Sequence, residues 1–342
     1  ERLVRSNPTI VNTDGDAFND CEEFENGTDP SDASSTPPTA SMALETNDGV
    51  RGVFSVSYAD AETEVLELHY SVDGNADRIV DVTGQASPFD IEIVFTTGGD
   101  HEVSVRAFDG GLFSVPAVLT YRVGVPNSGR TNYWPISGTE DGSFSGTLTN
   151  SGGDLELQAR NIYFATGRNG LGREAANTEF DGNKGIMTTN RTMLGESFTM
   201  FAFVDFNNTN SGGDIFGQGD RFSVRTTSNG LEVVDLAGGF ENEIGEANLG
   251  SKWDDGGFFL IAVTVEGTEV RLYVNGGLEL TATLPAGNPE CQLFFGKPTD
   301  LQCTNIEPAQ SFENGLRASF DDIHTYGRAL TANEILATFL EM

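Results

Sequence analysis

The chain has 342 residues, 52 Asp and Glu against 19 Lys and Arg, a net charge of −33 and 37% hydrophobic content. That length and apolar fraction predict two or three packed domains rather than a disordered chain. The charge excludes nucleic acid and anionic lipid as partners, since basic patches hold both. No apolar run is long enough to span a bilayer, so no membrane insertion is expected. An export signal is expected upstream of Glu1, the chain being read as a piece of a longer, secreted or cell-surface protein.

The first segment, residues 1–36, is dominated by "NTDGDAFNDCEEFENGTDP". Acids this close repel one another unless they share a cation. Counting Asn12 as position 1, side-chain oxygens fall at Asn12, Asp14, Asp16 and Asp20, the Phe18 carbonyl at position 7 and Glu23 at position 12. That is the oxygen spacing of an EF-hand calcium loop, with Ala17 where the loop usually has glycine. Asp29 and Asp32 are candidates for a second Ca²⁺. "TDGDAFNDCEE" followed by "GTDPSD" resembles the thrombospondin type 3 calcium repeats of secreted bacterial proteins, and Asn7-Pro8 repeats as Asp29-Pro30.

"SDASSTPPTA" then reads as a linker. Residues 37–126 show short alternating runs, "GVFSVSYAD", "VLELHYSVDG", "FDIEIVFT", "HEVSVRAFDGG" and "AVLTYRV", bounded by Gly, Asp and Pro. This is the pattern of an antiparallel sandwich. It resembles an immunoglobulin-like or cadherin-like module, without a Cys pair or a core Trp. "AFDGG" resembles a cadherin calcium ligand motif, which makes Asp60, Glu62 and Asp109 candidates for a calcium at one pole, against their being ordinary turn acids.

Residues 127–342 contain, in order, "NYWPISG", "TEFDGNKGIM", "SFTMFAFV", "DRFSVRTTSNGLEV", "FFLIAVTVEGTEVRLYVNGGLELTATL" and "LRASFDDIHTYGRALTANEILATF". Together these resemble the laminin G-like domains of the concanavalin A-like lectin/glucanase superfamily. In physical terms, "VNGG" is a hairpin turn, with Val270, Leu272 and Val274 on one strand face. "LTANEILATF" opens with a capping box, Thr331 and Glu334. The resemblance implies a jelly roll that binds carbohydrate or protein, a C-terminal helix packed on a sheet, and a calcium held by Asp181 with Asp321 or Asp322. Alternation would place Asp321 with Ile323 and Asp322 with His324, so that only one of the two acids meets a given ion. The fold class is therefore all-β: a calcium-binding repeat segment, an immunoglobulin-like sandwich and a concanavalin A-like jelly roll.

Cys291 and Cys303 flank "CQLFFGKPTDLQC" and are expected to bridge, buried free thiols being the alternative. Cys21 is left as a thiol or a link to another chain. The hydrolases of the superfamily carry their carboxylates as E-x-D-x-E. Here the nearest stretch is "ENEIGE", Glu241 to Glu246, whose middle residue and spacing are wrong. His69, His101 and His324 fall on separate strands and read as ordinary strand residues; no zinc cluster or Ser-His-Asp set is present. Phe198, Phe201 and Phe203, Trp134 and Trp253 read as core. The loops "NNTNSGGD" and "GGFENEIGE" are the best places for a ligand. With no catalytic residues named, the expectation is a non-catalytic, calcium-binding extracellular module that binds glycan or mediates adhesion. The alternative is a fibre subunit that assembles with copies of itself; a glycoside hydrolase is the remote alternative.

Overall fold

The structure is a computed structural model that describes residues 9, 11–15, 19–26, 29–32, 36–61, 64–138, 142–172, 175–178, 185–206, 213–250, 256–296, 303, 316 and 318–341. Asp16, Ala17, Phe18, Glu62, Asp181 and Trp253, named from the sequence, lie outside these residues. The chain divides into two compact units, the first running to Gly124 and the second over Val125–Leu340.

In the first unit, strands Thr39–Asp48, Arg51–Ala59 and Phe89–Val94 form one antiparallel sheet. Arg78–Asp81, Glu67–Val72, Gly99–Phe108 and Ala117–Val123 form another. Alternation drives one face of each strand inward: Phe54, Val56, Ile91 and Ile93 meet Leu68, Val103, Val105 and Tyr121, all buried. The Tyr121 ring stacks on Phe95 at 4.4 Å. Its hydroxyl lies 2.8 Å from the Gly49 carbonyl and 3.0 Å from that of Arg51, which pins the first hairpin to the opposite sheet.

The second unit is a jelly roll of two curved antiparallel layers. One layer runs Asn242–Asn248, Gly230–Asp235, Phe222–Thr226, Asp214–Gln218, Leu293–Phe295, Gly185–Thr188 and Leu157–Ala165. The other runs Ala175–Asn177, Ser319–Tyr326, Ser197–Asp205, Phe258–Glu266, Glu269–Val274 and Gly277–Thr283, and Arg130–Trp134 also pairs with Ser319–Tyr326. The Leu157–Ala165 strand pairs into both layers. Between them lies one core that includes Trp134, Phe198, Phe222, Val233, Val263, Val270, Leu272, Val274 and Phe320. Trp134 is fully buried and its indole N–H donates to the Leu155 carbonyl at 2.9 Å.

The Asn275-Gly276 turn has φ of 49° and 80°, the paired positive angles of a tight hairpin turn, where glycine carries no steric cost. At the C-terminus the capping box forms in both directions. Glu334 N–H donates to the Thr331 hydroxyl at 3.1 Å, and Thr331 N–H donates to the Glu334 carboxylate at 3.0 Å. The helix Ala332–Leu340 that it opens buries Ile335 against Phe201, Leu260 and Tyr273 on the outer face of one layer.

Candidate functional site

The other layer carries on its outer face a row of ionisable residues in direct cross-strand register. Asp214 pairs with Arg225, Arg225 with Glu232 and Glu232 with Glu246. Alternation produces the row, because Val224 and Val233 on the same strands point into the core and leave Arg225 and Glu232 facing out. Arg225 Nε lies 3.0 Å from Asp214 Oδ1, Nη1 lies 3.7 Å from Glu232 and Nη2 lies 3.0 Å from Glu241. Asp214 is fully buried and also accepts from the Ser223 hydroxyl at 2.6 Å. Glu232 is 16% exposed and Glu241 41%, so the acids step outward from a buried base to solvent.

A β-bulge completes the cluster. The Asn242–Asn248 strand shifts register at Ile244, which packs against the core and leaves Glu243 and Glu246 opposite Val234 and Glu232. Burial raises the Glu232 pKa above the usual carboxylate range; the charges of Glu243, Glu246 and Asp214 add to this, and Arg225 opposes it. Glu232, whose pKa burial raises, therefore shares the Arg225 guanidinium with the Glu241 carboxyl. The sequence reading missed Asp214, Arg225 and Glu232. The available signal was the "TTSNG" turn, which sets Arg225 opposite Glu232.

A second cluster lies on the outer face of the opposite layer. Arg168 donates its backbone N–H to Asp321 at 3.0 Å and its Nε–H to Asp322 at 2.9 Å, and its guanidinium covers the Phe203 ring at 4.4 Å. The Tyr133 hydroxyl donates to Asp322 at 2.9 Å. This corrects the expectation from strand alternation. Asp322 takes φ of 41° at a bulge, the register against Ser197–Asp205 slips, and Asp321, opposite Phe203, shares a face with His324, opposite Phe201. Of Asp321, Asp322, Ile323 and His324, it is Ile323 that joins the core. Burial raises the Asp321 pKa to about 6; the Arg168 N–H lowers it and the Asp322 charge raises it. His324, stacked between Tyr133 and Phe201 at 4.3 and 4.5 Å, is held neutral by burial and by the charges of Arg130 and Arg168. Burial and the Asp322 charge likewise push the Tyr133 phenol up.

In the acidic N-terminal segment, Asn12 Oδ1 accepts from Gly15 N–H at 2.6 Å and Asp20 accepts both the N–H and the hydroxyl of Thr13. Asn19 caps the helix Asp20–Asn26, which turns Glu23 fully inward while Cys21 and Glu22 are exposed. Asp14 is half-buried. Asp29 accepts from Ser31 N–H and hydroxyl, and Asp32 N–H donates to the Asp29 carbonyl. Asp109 accepts from Gly111 and Leu112 N–H at 2.7 Å each, and Asp60 follows the Arg51–Ala59 strand. Among the described residues, Asp220, Cys291 and Cys303 bring three potential ligand atoms within 4.8 Å of one another, and the two cysteines are joined in a disulfide. His101, taken for an ordinary strand residue, is buried with its ring nitrogens 2.7 Å from Asp73 and 2.9 Å from the Thr97 carbonyl.

Residues 180–336 match the family model of the concanavalin A-like lectin/glucanases superfamily. This span holds the whole Arg225 cluster. None of the curated proteins matches the chain. Among solved structures, a Trypanosoma rangeli sialidase in complex with sialic acid is similar at 14% identity and a TM-score of 0.44, over 90% of this chain and 54% of that one. The same sialidase with a difluoro-KDN ligand matches at 12% identity and 0.44, over 88% and 53%. Domain 4 of a GH43 extracellular arabinanase from Geobacillus stearothermophilus, in complex with arabinotriose, matches at 14% and 0.40, over 62% and 98%. The chain thus spans about half the length of the sialidases it matches. The expectation of a non-catalytic module is therefore not kept, the solved structures found being glycoside hydrolases or a domain of one; they do not bear on the calcium expectation. No residue role is carried over from them. Among the described residues no helix is long and apolar enough to cross a membrane.

Proposed function

We propose that the chain is the carbohydrate-active part of an extracellular protein of glycoside-hydrolase type, with the Arg225 cluster as its acid–base site. One observation carries this: the span matching the lectin/glucanases superfamily encloses a stepped carboxylate cluster around a single arginine. Glu232, whose pKa burial raises, is the group that protonates the glycosidic oxygen as the bond to the anomeric carbon breaks. Glu241, 3.0 Å from Arg225, faces the developing positive charge or takes the proton of the water that completes hydrolysis. Asp214 is a positioning residue that fixes the guanidinium from below. The surplus of acids on this face selects against uronates and sialic acid, so the substrate is a neutral glycan.

The test is release of reducing ends from a panel of neutral polysaccharides. Glu232→Gln is expected to lower kcat by about 10²–10⁴-fold, the usual worth of a general acid, with the circular dichroism spectrum unchanged. Turnover that survives both Glu232→Gln and Glu241→Gln would sink the assignment.

We further propose that the N-terminal segment holds Ca²⁺. Its donors are hard oxygens, the chemistry calcium prefers, and Glu23, the twelfth position of the loop, is turned into the fold rather than toward solvent. Titration with Ca²⁺ should release heat in the native chain and not in Glu23→Gln. Chelation should expose residues 9–32 to protease before either sandwich is cut; early cuts within the sandwiches would argue against the site.

A further inference from the structure

A cleft of about 270 Å³ opens in the second unit beside the end of the Leu157–Ala165 strand, several strands from the Arg225 cluster in the fold's strand order. Its floor is an aromatic pair, Phe144 and Phe164, with ring centroids 5.2 Å apart and both rings half-buried. Ser137, Thr147, Thr149 and Ser151, all exposed, also line it. A bulge creates the floor. Asn161 takes φ of 50° where the Phe144–Leu148 pairing slips, which turns Ile162 into the core and leaves Phe164 on the same face at the strand's open end. Gly138 closes over the ring, and a Cβ placed there would come within 2.1 Å of Phe164. A larger residue would displace the floor.

Every described residue that lines this cleft is uncharged, in a chain of net charge −33. Among these residues a cation would find no carboxylate and an anion no base. Four hydroxyl-bearing residues in the lining favour a ligand that can hydrogen-bond over a purely aliphatic one. A sugar ring satisfies both halves of the lining: its C–H face lies on an aromatic ring, and its hydroxyls exchange hydrogen bonds with Ser and Thr. The volume falls just below the roughly 300–1,000 Å³ of sites for drug-sized ligands, which suits one ring of a chain rather than several.

We infer that this cleft is a subsite for a single neutral glycosyl unit, separate from the acid–base cluster, that anchors a neutral glycan chain. The inference rests on the carbohydrate reading above and names where such a chain is gripped. Amide chemical shifts of the full chain, titrated with cellobiose, maltose, lactose and arabinotriose, and with sialyllactose and trigalacturonate as charged controls, test it. At least one neutral sugar should shift the amides of Gly138, Thr147 and Thr149, and the charged controls should leave them unmoved. Phe164→Ala should weaken binding about tenfold, roughly the worth of one aromatic contact. Gly138→Ala, which deletes no lining side chain and displaces the Phe164 ring, should weaken it likewise and guards against misfolding of the first variant. Glu232→Gln should bind as the native chain does. Saturable shifts confined to other surfaces, equal binding of the charged controls, or unchanged affinity in both cleft variants would overturn the inference. Binding here without any turnover would leave the subsite standing and remove the acid–base assignment; turnover with no sugar bound here would do the reverse.

Discussion

The two arginine-centred clusters of the jelly roll use the same parts and end in opposite states. At Arg168, Asp321 is 4% exposed and the Asp322 side chain 16%, and Tyr133, His324 and Phe203 close the surroundings. At Arg225, Asp214 is covered and Glu232, at 16%, is no more exposed than Asp322, but Glu241 rises to 41%. A buried, fully partnered carboxylate serves the fold, because a glycan cannot reach it without breaking those bonds. A carboxyl that is half-desolvated and still reachable can exchange a proton with a substrate. Exposure along the row, rather than the number of acids, separates a structural cluster from one that can do chemistry.

The sharpest way to break this comparison is to remove each arginine. Arg225→Ala leaves the buried Asp214 carboxyl with the Ser223 hydroxyl but without its guanidinium, and truncating one partner of a buried pair costs about 3–5 kcal/mol. Arg168→Ala should cost less, because Asp321 already titrates near 6 and takes up a proton, while Asp322 keeps Tyr133. Urea unfolding followed by the fluorescence of buried Trp134 reports on this unit directly. If the two losses proved equal, the contrast between the clusters would fail.

Both clusters are built at bulges, and that is where sequence reading stopped. Alternation and turn chemistry made the jelly roll legible: the Asn275-Gly276 hairpin, the Thr331/Glu334 box, the inward Val270, Leu272 and Val274 and the Cys291–Cys303 bridge all stand as read. Period-two logic then separated Asp321 from His324, and the E-x-D-x-E pattern was not met between Glu241 and Glu246. One extra residue at Asp322, and another at Ile244, reverses the facing of everything beyond it. A bulge at Ile244 has no strong local signature, since no special turn residue is demanded there. Arg225 was missed for a different reason: its partners come from two other strands and from Glu241, just before a third, and cross-strand register has to be known before they meet.

Acidity sharpens the comparison next. Asp321 has a folded pKa of about 6 against an ordinary 3.8, so its contribution to stability is fully present below about pH 4 and is lost as pH rises through 6. The two-unit shift corresponds to on the order of 3 kcal/mol. His324 runs the other way. Its depressed pKa gives stability that is present above its ordinary value of 6.5 and is lost as pH falls toward the folded value. In the native chain the two oppose each other between pH 5 and 7, and the unfolding free energy of this unit should change little there. Asp321→Asn removes one side of the balance and should leave a unit that weakens steadily on acidification. An equally flat profile in that variant would mean that His324 is not the neutral, buried ring described here.

The smallest expected effect tests whether the closed cluster is closed in function as well as in geometry. Tyr133→Phe deletes the hydroxyl that donates to Asp322 and keeps the ring stacked on His324. Asp322 retains Arg168 and some solvent, so the loss should be about 1 kcal/mol, the scale of one hydrogen bond, read again from urea unfolding. Turnover of a neutral polysaccharide should be unchanged. If Tyr133→Phe instead lowered kcat as far as Glu232→Gln while costing no more than this in stability, the covered cluster would be the reactive one. The exposure argument would then point to the wrong layer of the jelly roll.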